Sequence, residues 1–198
     1  DIYKELQKKI DDFCPDVIFW SAISSHIHGE GEYVNIEHGY NLISKIETKA
    51  ILITGGLQAT ASPKHILENF HKIHYLIRGE SEIVLLNLLN QINEKNTHLI
   101  ESLEGISYLD KNKKLVENRK QKIISDLDDL EIYDYSIFDD QVFYRPYNGE
   151  VLRGIDYEMS RGCVFTCGYC VETIIQRYYG FEDNTRGLLK NSKNYLRN

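Results

Sequence analysis

Three cysteines in one short run are the residues of this sequence best equipped for chemistry. Cys163, Cys167 and Cys170 stand in Arg161-Gly-Cys-Val-Phe-Thr-Cys-Gly-Tyr-Cys170, spaced Cys-x3-Cys-x2-Cys. Thiolates this close on a glycine-containing loop can converge on one metal centre, and thiolate is the soft ligand that zinc and iron–sulfur clusters select. Structural zinc takes four protein ligands and a structural cluster four cysteines. Here no cysteine or histidine follows Cys170, and the nearest preceding histidine is His98. Three local ligands leave one coordination position open, which is where a substrate or cosubstrate binds in catalytic metal sites. On the residues alone, zinc completed by a distant histidine and an electron-transfer cluster completed by a distant ligand stay open as alternatives. A disulfide is disfavoured, because the chain has no secretory signature and cytosolic thiols stay reduced. Cys14, between Phe13 and Pro15, reads as a small buried thiol at a helix end.

Tyr169, one residue before the last cysteine, extends the motif to Cys-x3-Cys-x-aromatic-Cys, with Ser160-Arg-Gly162 leading into it. This stretch resembles the signature of the radical S-adenosylmethionine superfamily. The resemblance implies that Cys163, Cys167 and Cys170 hold a 4Fe–4S cluster whose open iron is chelated by S-adenosylmethionine, and that Tyr169 helps seat that cofactor. It implies reductive cleavage to a 5′-deoxyadenosyl radical, with an external flavodoxin- or ferredoxin-type protein as one-electron donor. No side chain is singled out as catalytic in its own right.

The elements that must position this loop begin with the rest of the chain. Its 198 residues, 42% hydrophobic and 27% charged, suit one good globular core and part of a second. The net charge of −7, with no dense basic block, disfavours nucleic acid as a partner. No apolar run approaches the ~18 residues of a membrane span, and no targeting segment is visible, so the expected setting is cytoplasmic. The chain opens on Asp1, not Met, and is expected to be a fragment cut at both ends.

Ile2, Leu6, Ile10 and Phe13 share a helical face, and Pro15 ends that helix. Asp16–Ser24, Ala50–Gly56 and His74–Arg78 read as buried strands; helices are expected over about 35–46, from Pro63, and over Glu82–Asn93, the last burying Ile83, Leu86, Leu89 and Ile92. Near-continuously apolar strands alternating with helices predict a parallel sheet covered on both faces. Ligands of such sheets bind at the carboxyl ends of the strands, here the loops after Ser21, Thr54 and Arg78. Residues 105–117 read as a hairpin, and the acidic, aromatic run from Ile124 to Phe138 as a wrapping linker. Val151–Met159 is expected to be the strand that delivers the cysteine loop, with a helix over about 171–178 behind it.

The loops Ser21-Ala-Ile-Ser24, Gly55-Gly-Leu-Gln-Ala-Thr60 and Arg78-Gly-Glu-Ser-Glu82 resemble those of the cobalamin-binding domain that precedes many radical S-adenosylmethionine domains. The implied fold is α/β: a Rossmann-like, flavodoxin-like domain over residues 1–100 lacking its first strand, a hairpin and linker over 101–150, and the start of a βα barrel over 151–198. Ser21, Ser24, Gly55, Gly56 and Thr60 are the implied cobalamin contacts. The family's Asp-x-His-x-x-Gly loop, whose histidine can ligate cobalt, is absent; His26 and His28 follow the wrong strand and are read as cleft or solvent residues. The expected function is a cobalamin-dependent radical enzyme acting on a small molecule, most commonly by methyl transfer to an unactivated carbon. The alternative is a non-catalytic Rossmann-like ligand-binding module with a zinc or electron-transfer site.

Overall fold

The computed structural model describes residues 1–21, 33–155, 157, 159–181 and 195–197. Ser24, His26 and His28 lie outside them. The first helix, α1 (Ile2–Phe13), starts on Asp1, whose carboxylate accepts the Tyr3 amide at 3.0 Å, and stops at Cys14 in the left-handed conformation ahead of Pro15. Ile10 buries against the sheet, but Phe13 at the helix end is exposed. Cys14 is exposed as well, contrary to its reading as a buried thiol; as the C-cap it turns away from the packed face.

Strands β1 (Val17–Ser21), β2 (Ile51–Gly55) and β3 (Tyr75–Ile77) lie side by side in parallel. Helix α2 (Tyr33–Lys45) lies between β1 and β2 in the chain, and α3 (Leu57–Ala61) and α4 (Pro63–Asn69) between β2 and β3. After α5 (Glu82–Asn93) and the short α6 (Thr97–Ile100), β4 (Ile106–Leu109) and β5 (Leu115–Glu117) extend the sheet in the order β1-β2-β3-β4-β5. The three strands expected to be parallel are so, and the hairpin expected over 105–117 joins them through an antiparallel pairing of β4 with β3, which makes the sheet mixed. Strands β4 and β5 are joined by a tight turn that the Asp110 carboxylate pins by accepting the Asn112 and Lys114 amides, each at 2.8 Å, and a turn this short permits no crossover.

Successive strand residues point to opposite faces. Leu52 and Leu76 meet α1, α2 and α4 through Ile10, Tyr40, Ile43 and Ile66, while Ile53, Ile77 and Ile106 meet α5 and α6 through Val84, Leu88 and Ile100. Both faces are therefore covered, as a Rossmann-like sheet requires. Helix α5 buries Val84 and Leu88, leaving Ile83, Leu86 and Leu89 exposed. Its apolar residues satisfy two helical faces, and periodicity alone chose the wrong one.

Beyond β5 the chain crosses the surface in short 3-10 turns and forms a separate antiparallel hairpin, β6 (Tyr144–Tyr147) and β7 (Glu150–Arg153). The strand expected over Val151–Met159 is thus the outer arm of a hairpin ending at Arg153. Asn148-Gly149 is a strong two-residue hairpin signal and sets this pairing. The cysteine motif is entered instead through a bridge in which Arg161 and Arg197 exchange backbone hydrogen bonds of 2.8 and 2.9 Å. Helix α7 (Glu172–Tyr179) follows the motif and ends on Gly180.

Candidate functional site

Three of the expected cobalamin contacts, Ser21, Gly56 and Thr60, line one cavity, which neither Gly55 nor the cysteines nor Tyr169 lines. Ser21 ends β1, and Gly55 ends β2 as its register partner. Gly56, at φ 96°, opens α3, and Thr60 lies in that helix. Thr60 is tied up in the scaffold: its hydroxyl donates to the Gly56 carbonyl at 2.9 Å and accepts the Gly79 amide at 2.8 Å, joining the loops after β2 and β3. Ser21, Gly56, Thr60 and Gly79 line one wall of a cavity of about 530 Å³ at the carboxyl ends of the parallel strands. Arg161, Gly162, Glu172, Tyr179 and Arg197 line the other wall. The cleft therefore lies between the sheet and the segment that carries the cysteines, at the place where such sheets bind ligands.

Cys163, Cys167 and Cys170 are free and half-buried. Their loop is braced from α7. The Gln176 amide, fully buried, donates to the Cys163 carbonyl at 2.9 Å and the Phe165 carbonyl at 3.0 Å. The Thr173 hydroxyl donates to the Cys167 carbonyl at 2.8 Å. Helix α7 thus holds the loop by its backbone, while within the loop the Phe165 amide donates to the Cys163 sulfur at 3.4 Å. Gly162 has φ 93°, and a Cβ there would lie 2.2 Å from the Tyr195 carbonyl oxygen, so the residue before Cys163 has to be glycine. Tyr169 is 93% exposed, and its phenol is pushed up by the hydrogen bond and charge of the Cys167 thiol beside it.

As a donor set, three unpaired thiols on one partly open loop fit an iron–sulfur cluster. Among the described residues no group of three or more Cys, His, Asp or Glu is set closely enough to hold a metal ion. The loop presents its ligands without gathering them on a point.

Sequence reasoning missed the groups that fasten this loop to the sheet. Glu80, just after β3, is their centre. Its carboxylate takes the Arg197 guanidinium at 2.7 and 3.1 Å and Arg161 at 3.4 Å, and accepts the Ile124 amide at 2.9 Å. Arg161 also reaches Glu82 at 2.6 Å, and Arg197 donates to the Ile124 carbonyl. The Glu80 amide donates to the Tyr179 hydroxyl at 2.7 Å. Tyr178 donates to the Arg78 carbonyl at 3.3 Å while its ring lies 4.6 Å beneath the Arg78 guanidinium, itself 2.5 Å from Glu117. Burial pushes the phenols of Tyr179 and Tyr195 well up, and the Glu172 carboxylate hydrogen-bonded to Tyr195 adds to that shift. The local signal was the Arg78-Gly-Glu80 run, whose glycine at φ 80° would put a Cβ 2.2 Å from the Tyr179 oxygen.

No family model matches the sequence. Among curated proteins, the chain is 26% identical over 183 residues to the anaerobic magnesium-protoporphyrin IX monomethyl ester cyclase of Cereibacter sphaeroides, covering 91% of this chain and 28% of that protein. It is 25% identical over 181 residues to the enzyme of the same name from Rubrivivax gelatinosus, covering 90% and 31%. The chain thus spans under a third of the length of either relative. Among solved structures, the radical S-adenosylmethionine methyltransferase TsrM from Kitasatospora setae superposes with a TM-score of 0.55 at 19% identity, over 87% of this chain and 33% of that one. That likeness is one of fold. The chain is thus similar in sequence to these cyclases and in fold to a radical S-adenosylmethionine methyltransferase.

Proposed function

We propose that the chain carries the cofactor-binding elements of a radical S-adenosylmethionine enzyme, with Cys163, Cys167 and Cys170 as ligands of a 4Fe–4S cluster. The supporting observation is the seating of the motif: α7 secures the loop through the carbonyls of Cys163, Phe165 and Cys167 and spends none of the three thiols. When bound, the cluster supplies the electron that cleaves S-adenosylmethionine to a 5′-deoxyadenosyl radical. Tyr169, projecting beside Cys167, seats the nucleoside cofactor. Ser21, Gly56 and Thr60, which line the cleft, form its cobalamin side, with Thr60 acting by fixing its lips.

An external flavodoxin- or ferredoxin-type protein supplies the electron, in a cytoplasmic setting that keeps thiols reduced. Among the described residues no helix is long and apolar enough to cross a membrane. The reaction is radical functionalisation of an unactivated carbon of a small molecule, with methyl transfer as the first reading. The cyclase relatives favour a second reading, closure of a ring on a magnesium-porphyrin ester.

The test is iron per chain after anaerobic reconstitution of the full-length protein. Cys14→Ala retains the wild-type content, because Cys14 caps α1 on another part of the surface. Cys167→Ala falls to below about a tenth of it, since two remaining thiolates cannot hold a cubane. Equal iron in the two variants contradicts the assignment, and zinc in place of iron points to the non-catalytic module.

A further inference from the structure

We propose that Glu80 is a positioning residue that fixes the cysteine motif against the cleft, an inference that rests on the cluster reading above for its functional arm. Glu80 belongs to the sheet, in the turn after β3, yet it binds the motif from both sides. Upstream, its carboxylate holds Arg161, two residues before Cys163, and Arg197, the backbone partner of Arg161. Downstream, its amide holds the Tyr179 hydroxyl at the end of α7, the helix whose Gln176 grips the Cys163 carbonyl. The Ile124 amide ties the linker to the same carboxylate. One residue of the sheet is therefore bonded to every segment that flanks the cysteines.

The charges balance locally, with Glu80 and Glu82 facing Arg161 and Arg197. The side chains of Glu80, Arg161 and Arg197 are 12%, 13% and 6% exposed, so salt and water screen these pairs weakly. Charge-assisted hydrogen bonds between such groups are short and directional. Apolar packing here is confined to one small cluster, Ile175 and Tyr195 with Ile123, Tyr179 and Phe181, while Phe165 and Tyr169 within the motif are exposed. An open iron is useful only if its cofactor meets the cleft in one orientation, and groups one layer behind metal ligands set that orientation.

The test compares Glu80→Gln, Tyr179→Phe and wild type in the full-length protein. In the metal-free state, iodoacetamide alkylation is followed at each cysteine by mass spectrometry, with Cys14 as the internal reference. Glu80→Gln raises the rates at Cys163, Cys167 and Cys170 by about tenfold relative to Cys14, the scale expected for a lost supporting contact. After reconstitution, the iron-loaded variant loses the change that S-adenosylmethionine makes in the electron paramagnetic resonance spectrum of the reduced cluster. A merely structural strut would leave that spectral response intact.

If Glu80→Gln loosens Cys14 equally, Tyr179→Phe decides, since it removes one hydroxyl and leaves every charge. Motif cysteines that react no faster while Cys14 also keeps its wild-type rate overturn the proposal, and so does a retained response to S-adenosylmethionine. Absence of a cluster in the wild type would instead defeat the cluster reading, and the alkylation arm would still judge Glu80.

Discussion

Residues 1–117 and residues 118–197 hold their shapes by different means. The first region buries its apolar side chains in three clusters over both faces of one sheet. Among the described residues, the second buries only Ile124, Ile175 and Tyr195 of its apolar side chains, and leaves Ile132, Met159 and Tyr169 in solvent. Burial at roughly 1.5–3 kcal/mol per large side chain gives the sheet a geometry of its own. The cysteine region has only one small cluster, around Ile175 and Tyr195. Its position comes from a few directional polar contacts to the sheet rim, centred on Glu80. A buried ion pair stabilises little in net terms but costs much when one partner goes, so this design trades stability for a fixed geometry.

The sharpest way to break this contrast is a matched pair of truncations. Leu76→Ala, at a fully buried strand position, should lose about 2–5 kcal/mol in denaturant unfolding followed at Trp20, which packs in the same cluster. Ile132→Ser, at an 89% exposed position in the linker, should lose less than about 0.5 kcal/mol. A comparable loss at both sites would mean that the linker leans on the core, and the contrast would fail.

The smallest effect expected is a pH dependence confined to the sheet. His74 accepts the Leu52 amide through Nδ1 at 3.0 Å, which requires a neutral ring, and burial holds its pKa below the usual histidine value. A depressed folded-state pKa means that the unfolded chain binds the proton more readily. Stability from this group is therefore fully present above the unfolded value near 6.5 and is lost as pH falls through the lower folded value. Melting curves should drop modestly from pH 7.5 towards 5.5, and His74→Gln should flatten that slope. An unchanged slope in the variant would assign the acid sensitivity elsewhere.

Most of the sheet was legible because strands and helices announce themselves locally. Val17–Ser21, Ile51–Gly55 and the helix at Pro63 follow from short apolar runs, small polar ends and a proline at the first helical turn. That the 105–117 hairpin adds to the sheet beside β3 was less legible, since it depends on which strand edge remains free. The face of α5 was hidden by apolar residues on two sides. In the cysteine region the motif gave the ligand types and their spacing, while Asn148-Gly149 carried a hairpin signal that the expected barrel strand obscured. The Glu80–Arg161–Arg197 contacts join residues far apart in sequence, and charges so separated leave no local pattern to read.

The most direct measurement is anaerobic iron–sulfide reconstitution of the full-length wild-type protein, with spectra taken before and after addition of S-adenosylmethionine. The account predicts about four irons per chain and a cluster spectrum that the cofactor perturbs, because three cysteines leave one iron open. Bound zinc, or a cluster indifferent to S-adenosylmethionine, would contradict it.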